Sequence, residues 1–392
     1  MTVTVDQTRS TTTRLPVLVA CLSLLYGVLG LVWLLGADWY PFGPVPPENE
    51  RLSLLAYLPE NVGAGLLAVL GFLGVPTALG HTRTEWSPTA YRPLLWFTGL
   101  QVVVFGLLAP SIIVVIVAGY LLVLLGLPAA AVLLIAGAWR QPTTRGLLLA
   151  VVLGLVVLEL TTELFDWDAF KELGEGLAGV PEKVGPRPLV VFGAFVLGAG
   201  WAVLGIRGLR SSHGRCVRCG RPGAWWTGPE AAGRWGFWAT IVAALCPLPY
   251  AMPRLTWLLP DPVGIGADRV HTEPGIRLFG LGLGVIALAA GIATLGLIRP
   301  WGEIWPRWVP FVAGRPIPIK AAVIPGTGAT ALLLVGSASL FQLSWTADAS
   351  TLENIVGHLL LLPFPLWGAS LALATAAYYY RRRTPCSFCN RS

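Results

Sequence analysis

The stretch that decides the fold runs from Pro93 to Trp139: PLLWFTGLQVVVFGLLAPSIIVVIVAGYLLVLLGLPAAAVLLIAGAW. It lies between Arg92 and Arg140 and contains 47 residues without one charge. A helix needs about 20 apolar residues, at 1.5 Å each, to cross a bilayer. The stretch is therefore too long for one crossing and suits two crossings joined by a tight turn. One helix starts near Leu94, and the next covers Tyr120–Trp139. The turn falls at Ala109-Pro110-Ser111 or near Ala118-Gly119.

The rest of the chain reads the same way. Of 392 residues, 55% are hydrophobic and 12% are charged, and the mean hydropathy is +0.70. Soluble chains are about a quarter charged, so soluble globular and disordered classes are excluded. The 46 Gly and 32 Pro residues fit membrane helices, which tolerate both. Nine spans follow from hydropathy: Leu15–Leu35, Val62–Gly80, Tyr120–Trp139, Gly146–Glu163, Leu189–Leu209, Gly236–Trp257, Leu278–Ile298, Ala321–Leu343 and Ile355–Tyr379. With the helix near Leu94 they make ten. The expected fold is all-α, a polytopic helical membrane protein. The first apolar stretch exceeds the roughly 7–15 residues of a secretory signal core, so it reads as an anchor that stays.

Charge sets the expected orientation. With the N-terminus in the cytoplasm and ten crossings, 20 of the 27 basic residues fall inside, joined by only four of the 20 acids. Both termini are then cytoplasmic. The divisions are a tail over 1–14, spans one to six over 15–209, a loop over 210–235, spans seven to ten over 236–379 and a tail over 380–392. The net charge of +7 is spread over the cytoplasmic loops, which suits the cell membrane's anionic headgroups rather than nucleic acid. Trp39, Trp86, Trp139, Trp167, Trp235, Trp301 and Trp345 lie near span ends, as interfacial aromatic belts do.

An internal repeat is also legible. Tyr26, Leu31, Trp33, Leu34 and Leu35 of the first span recur as Tyr250, Leu255, Trp257, Leu258 and Leu259 of the seventh, at identical spacing. Leu79-Gly80 near the end of the second span recurs as Leu295-Gly296 in the eighth, and Arg92-Pro93 before the third recurs as Arg315-Pro316 before the ninth. Spans one to four thus read as a copy of spans seven to ten, parallel in sense, with spans five and six as a central hairpin. Gly280 and Gly284 form a GxxxG face for close packing. The GxGxG string over Gly280–Gly284 lacks a preceding strand and is no dinucleotide loop.

The loop over 299–326 is centred on Glu303-Ile304-Trp305-Pro306-Arg307-Trp308-Val309-Pro310. With Ser23-Leu24-Leu25-Tyr26-Gly27, it resembles uncharacterised multi-pass membrane proteins of high-GC actinobacteria. That resemblance implies no activity.

Six cysteines remain. Cys21 and Cys246 sit in spans as small buried hydrophobes. The others form two CxxC pairs, Cys216/Cys219 and Cys386/Cys389. Topology places both pairs in the cytoplasm. Zinc takes four thiolates as a tetrahedron, and thiolates at i and i+3 share an ion when the chain turns between them. Gly220 and Asn390 follow the second cysteines and tolerate the left-handed conformation such a turn needs. One shared, structural zinc site is expected, clipping the tail to the central loop. A thioredoxin-type dithiol is the alternative, although neither CxxC opens a helix after a strand. The Arg-rich flanks suit docking of a cytoplasmic protein partner.

Intramembrane ionisable groups are functional candidates. Glu159 and Glu163 lie one turn apart in span five, and Arg254 and His358 lie near the same outer surface. They form an expected polar cluster, read as a structural ion pair or as a transport or catalytic site. The chain thus reads as a non-enzymatic membrane protein, with a small-solute transporter and a CxxC thiol oxidoreductase as alternatives.

Overall fold

A computed structural model of the chain describes residues 5–389 apart from 38, 44–52, 83–87, 163–167, 169–170, 172–173, 176–184, 264–269, 271–273, 310–311, 347–361 and 387. Among the described residues the protein is helical, with one isolated bridge between Ile304 and Pro316. The helices in chain order are α1 (Val5–Leu34), α2 (Glu60–Gly80), α3 (Pro88–Val103), α4 (Ile112–Leu121), α5 (Leu127–Ala138), α6 (Pro142–Thr162) and α7 (Arg187–Ser212). They continue with α8 (Pro229–Leu245), α9 (Leu248–Leu255), α10 (Pro274–Leu295), α11 (Ile319–Thr346) and α12 (Phe364–Arg382). Nine of the described segments are long and apolar enough to cross a membrane.

The uncharged stretch does fall into two segments long and apolar enough to cross a membrane, Tyr91–Leu108 and Val114–Ala138. A π-helical turn, Val104–Leu108, extends α3. The helix then breaks at Ala109-Pro110-Ser111, the first of the two turns expected, and α4 begins at Ile112. The second crossing therefore starts eight residues before Tyr120. A second π turn, Leu122–Gly126, joins α4 to α5.

Three other boundaries shift. Helix α1 reaches back to Val5, into the segment expected as a tail. The seventh span starts at Pro229 and breaks at Cys246-Pro247, because proline cannot donate the hydrogen bond that would continue the helix. The expected tenth span overlaps α12, which is not among the nine and whose last turn carries Arg381 and Arg382; its expected start at Ile355 lies outside the described residues.

The helices pack as two groups. In the first, α1 lies along α2, and α7 packs on α3, on the first π turn and on α1. Its core holds Tyr26, Leu67, Phe105, Leu197 and Trp201. Gly198 of α7 meets Gly106 of the π turn so closely that a β-carbon on Gly198 would sit 2.3 Å from the Gly106 Cα. Contact this close between backbones requires glycine and is the small-residue packing that membrane helices use, because lipid supplies no hydrophobic driving force between them. In the second group, α8 packs on α12 and α10, α9 on α10, and α11 on α12. Gly280 abuts Trp257 and Gly284 abuts Arg254, so the GxxxG face does seat α10 against α9 and the turn that follows it.

The remaining helices, α4 to α6, form a peripheral hairpin. Only 11% and 6% of their two crossings are buried within the molecule, against 39% and 44% for α1 and α2. Leu149, Leu153 and Leu160 face outward, where acyl chains would cover them.

At the end opposite the cysteines, Trp33, Trp39, Tyr40 and Phe42 meet edge to face. Arg187, at the start of α7, donates to the carbonyls of Tyr40 and Gly43. These contacts tie α7 to the segment after α1. At the cysteine end, Gly302, Glu303 and Ile317 lie against α12. Arg381 Nη2 donates to Glu303 Oε1 at 2.7 Å and to the Leu297 carbonyl at 2.9 Å, and Tyr378 donates to the Gly302 carbonyl.

Candidate metal centre

Helix α7 ends at Ser212 and Cys216 follows four residues later; α12 ends at Arg382 and Cys386 follows four residues later. The first knuckle closes on itself. Cys216 N–H donates to the Arg221 carbonyl at 2.8 Å, and Gly220 N–H donates to the Cys216 carbonyl at 2.7 Å. Gly220 has φ +74°, the left-handed conformation that a side chain disfavours.

The two knuckles then meet. The Sγ atoms of Cys216, Cys219, Cys386 and Cys389 all lie within 4.8 Å of one another, and Cys219 Sγ is 3.6 Å from Cys389 Sγ. A tetrahedral zinc with Zn–S bonds of about 2.3 Å has sulfurs roughly 3.8 Å apart. A disulfide needs about 2.05 Å, and the cysteines are free. Four converging thiols at this spacing can hold a metal ion.

The arginines do more than bias topology. Arg221, 8% exposed, donates across the junction to the carbonyls of Thr384 at 3.1 Å and Arg383 at 3.4 Å. Arg383 returns the contact, donating to the carbonyls of Cys219 and Thr227. Arg210 donates to the Arg218 carbonyl at 3.0 Å. Four thiolates around one divalent cation leave two negative charges, and these guanidiniums offset them. Sequence reasoning read the arginines as topology signals and as a docking surface, not as ties between the knuckles. The shared pattern CxxC, then Gly or Asn, then Arg, was the available clue to Arg221.

Compared with known proteins, the chain matches no family model, no curated protein and no solved structure.

The thiols are unequal when no metal is bound. Backbone N–H groups of Phe388 and Cys389 hold the Cys386 thiol down to about 6. Burial pushes Cys219 up to about 12. Burial also opposes ionisation of Cys216, but hydrogen bonds from the Cys219 and Arg218 backbone outweigh it and its pKa falls. Only the thiolate alkylates. In metal-stripped protein at pH 7, iodoacetamide should therefore label Cys386 first and Cys219 last, with Cys386 labelling lost as pH drops through 6. Peptide mapping by mass spectrometry reads the order, and Cys219 labelling first would contradict it.

Of the expected polar cluster, Glu163 and His358 lie outside the described residues. Glu159 lies near the end of α6, and its neighbour Leu158 packs on the group of Trp257, Val270 and Leu281. The Arg254 guanidinium lies over the rings of Tyr250 at 4.3 Å and Trp257 at 5.0 Å. The segments carrying Glu159 and Arg254 thus meet at one cluster. Sequence reasoning missed another polar group, where His81 Nδ1 lies 3.2 Å from the Tyr91 hydroxyl and Nε2 lies 2.9 Å from Thr98 Oγ1.

Proposed function

We propose that this is a non-enzymatic, multi-pass protein of the cell membrane, with both termini in the cytoplasm and one structural zinc ion at the four-cysteine centre. The observation that carries this is the convergence of Cys216, Cys219, Cys386 and Cys389 within 4.8 Å, from segments more than 160 residues apart in the chain. Four thiolates favour zinc among available divalent ions and fill its tetrahedron, leaving no position for the water that a catalytic zinc keeps open. The orientation rests on the arginine-rich loops at the cysteine end, by the positive-inside rule. Thiolates there meet a reducing compartment, which keeps them available to metal. The Arg-rich surface around the knuckles suits a cytoplasmic protein partner.

Metal analysis of detergent-purified protein tests the reading. One zinc per chain is expected in the native protein and none in Cys386→Ser/Cys389→Ser. Zinc retained at one per chain in the variant would sink the shared site.

A further inference from the structure

Many buried positions of the two helix groups correspond, and the correspondence places the metal centre. Buried positions of α1 recur in α8–α9 and the turn after them at one constant shift: Pro16 with Thr240, Val19 with Ala243, Ser23 with Pro247, Gly27 with Ala251 and Trp33 with Trp257. Those of α2 recur in α10 and the residue after it: Ala64 with Gly280, Ala68 with Gly284, Gly71 with Ala287, Ala78 with Thr294 and Gly80 with Gly296. The contacts recur too. Gly30 abuts Ala68 in the first group, and their counterparts Arg254 and Gly284 abut in the second.

The fourth member of the first group is α7. Gly198, Trp201, Leu204 and Gly208 are buried in α7, and their counterparts Gly368, Leu371, Ala374 and Tyr378 are buried in α12. Both helices end four residues before a CxxC. Helices α1, α2 and α7 therefore match α8–α9, α10 and α12, while α3 and α11 share a place in chain order and each packs on the fourth member of its group. The α4–α6 hairpin is an insertion between the third and fourth members of the first half.

Where two equivalent units meet across a two-fold axis, residue i touches j and residue j touches i; only on the axis does a residue touch its own counterpart. Cys219 and Cys389 are counterparts, and their sulfurs are 3.6 Å apart. Arg218 and Phe388 are counterparts, and the guanidinium lies 5.4 Å from the ring centre. We infer that the four-cysteine centre lies on a pseudo-two-fold axis between two duplicated halves, where one metal ion clamps the ends of α7 and α12. This rests on the metal-centre reading above. It makes the centre a join between equivalent halves, as one ion is shared by two copies in a symmetric dimer, rather than a staple for a loose tail.

The test uses full-length protein. Val217-Arg218 and Ser387-Phe388 are exchanged, and zinc content and affinity are measured beside the native chain. Hydrogen exchange is followed over 210–221 and 380–389 in native protein with and without chelator. The clamp predicts one zinc per chain in the exchanged variant, with affinity within about threefold of native. It also predicts that chelation raises exchange in both segments together. Zinc in the native chain but not in the exchanged variant would overturn the clamp alone. So would chelation that frees 380–389 and leaves 210–221 unchanged. No zinc in either protein would overturn the metal-centre reading and the clamp with it.

Discussion

Cys219→Ser should weaken zinc binding by roughly two to three powers of ten. Structural zinc sites bind with apparent free energies of about 10–16 kcal/mol at pH 7. Shared among four ligands, that is about 2.5–4 kcal/mol each, where 1.4 kcal/mol is tenfold. Serine keeps the shape but offers a hard hydroxyl that does not ionise near neutral pH, in place of a soft thiolate. Cys219 is the buried member of the set, so water is poorly placed to fill in. The effect should spread beyond the metal. Arg383 donates to the Cys219 carbonyl and Arg221 donates to the chain before Cys386, so loosening one knuckle loosens the other. Competition titration against a chromophoric chelator reads the affinity. Unchanged affinity would remove Cys219 from the ligand set.

Gly198→Val should destabilise the first helix group by about 3 kcal/mol, since overpacking costs about 1–3 kcal/mol where side chains can yield and here the opposing atoms are backbone. A β-carbon on Gly198 would meet Gly106 N at 2.4 Å and its Cα at 2.3 Å. Helix α7 must then move off α3, disturbing the buried Trp201 and Phe105. It also carries the first knuckle, so zinc retention should fall with stability. Gly99 is the control, because a β-carbon added there would meet nothing within 4 Å; Gly99→Ala should shift the thermal midpoint little. Thermal unfolding in detergent, followed by size-exclusion chromatography, compares the two. Equal midpoints for Gly198→Val and the native protein would show that α7 does not depend on this contact.

Hydropathy read the crossings because lipid acts on every residue of a span. The uncharged run from Pro93 to Trp139 was too long for one crossing, and Pro110 marks where its helix breaks. The cysteines were legible for another reason. Ligand spacing within a knuckle is local, and Gly220 advertises its turn. The distance between knuckles is not local, and only charge-based topology brought them to one side.

The repeat was legible in part. Tyr26 with Tyr250 and Trp33 with Trp257 share a spacing that survives in the matched helices. The partner of α12 did not show, because the inserted hairpin shifts the count: the sequence order pairs the fourth span with the tenth, whereas packing pairs α7 with α12. Pro247 broke a helix that hydropathy ran through. The tie from Arg381 to Glu303 depends on a tertiary approach that no periodicity encodes. As a half-exposed ion pair, it is expected to contribute little to stability.

The most direct test of the account is X-ray absorption at the zinc edge on detergent-purified native protein. Four sulfur ligands at about 2.3 Å, with no nitrogen or oxygen bound to the metal, are predicted. Two sulfurs completed by nitrogen or oxygen ligands would contradict the joining of the two CxxC pairs, as would an absence of zinc from protein purified without chelator.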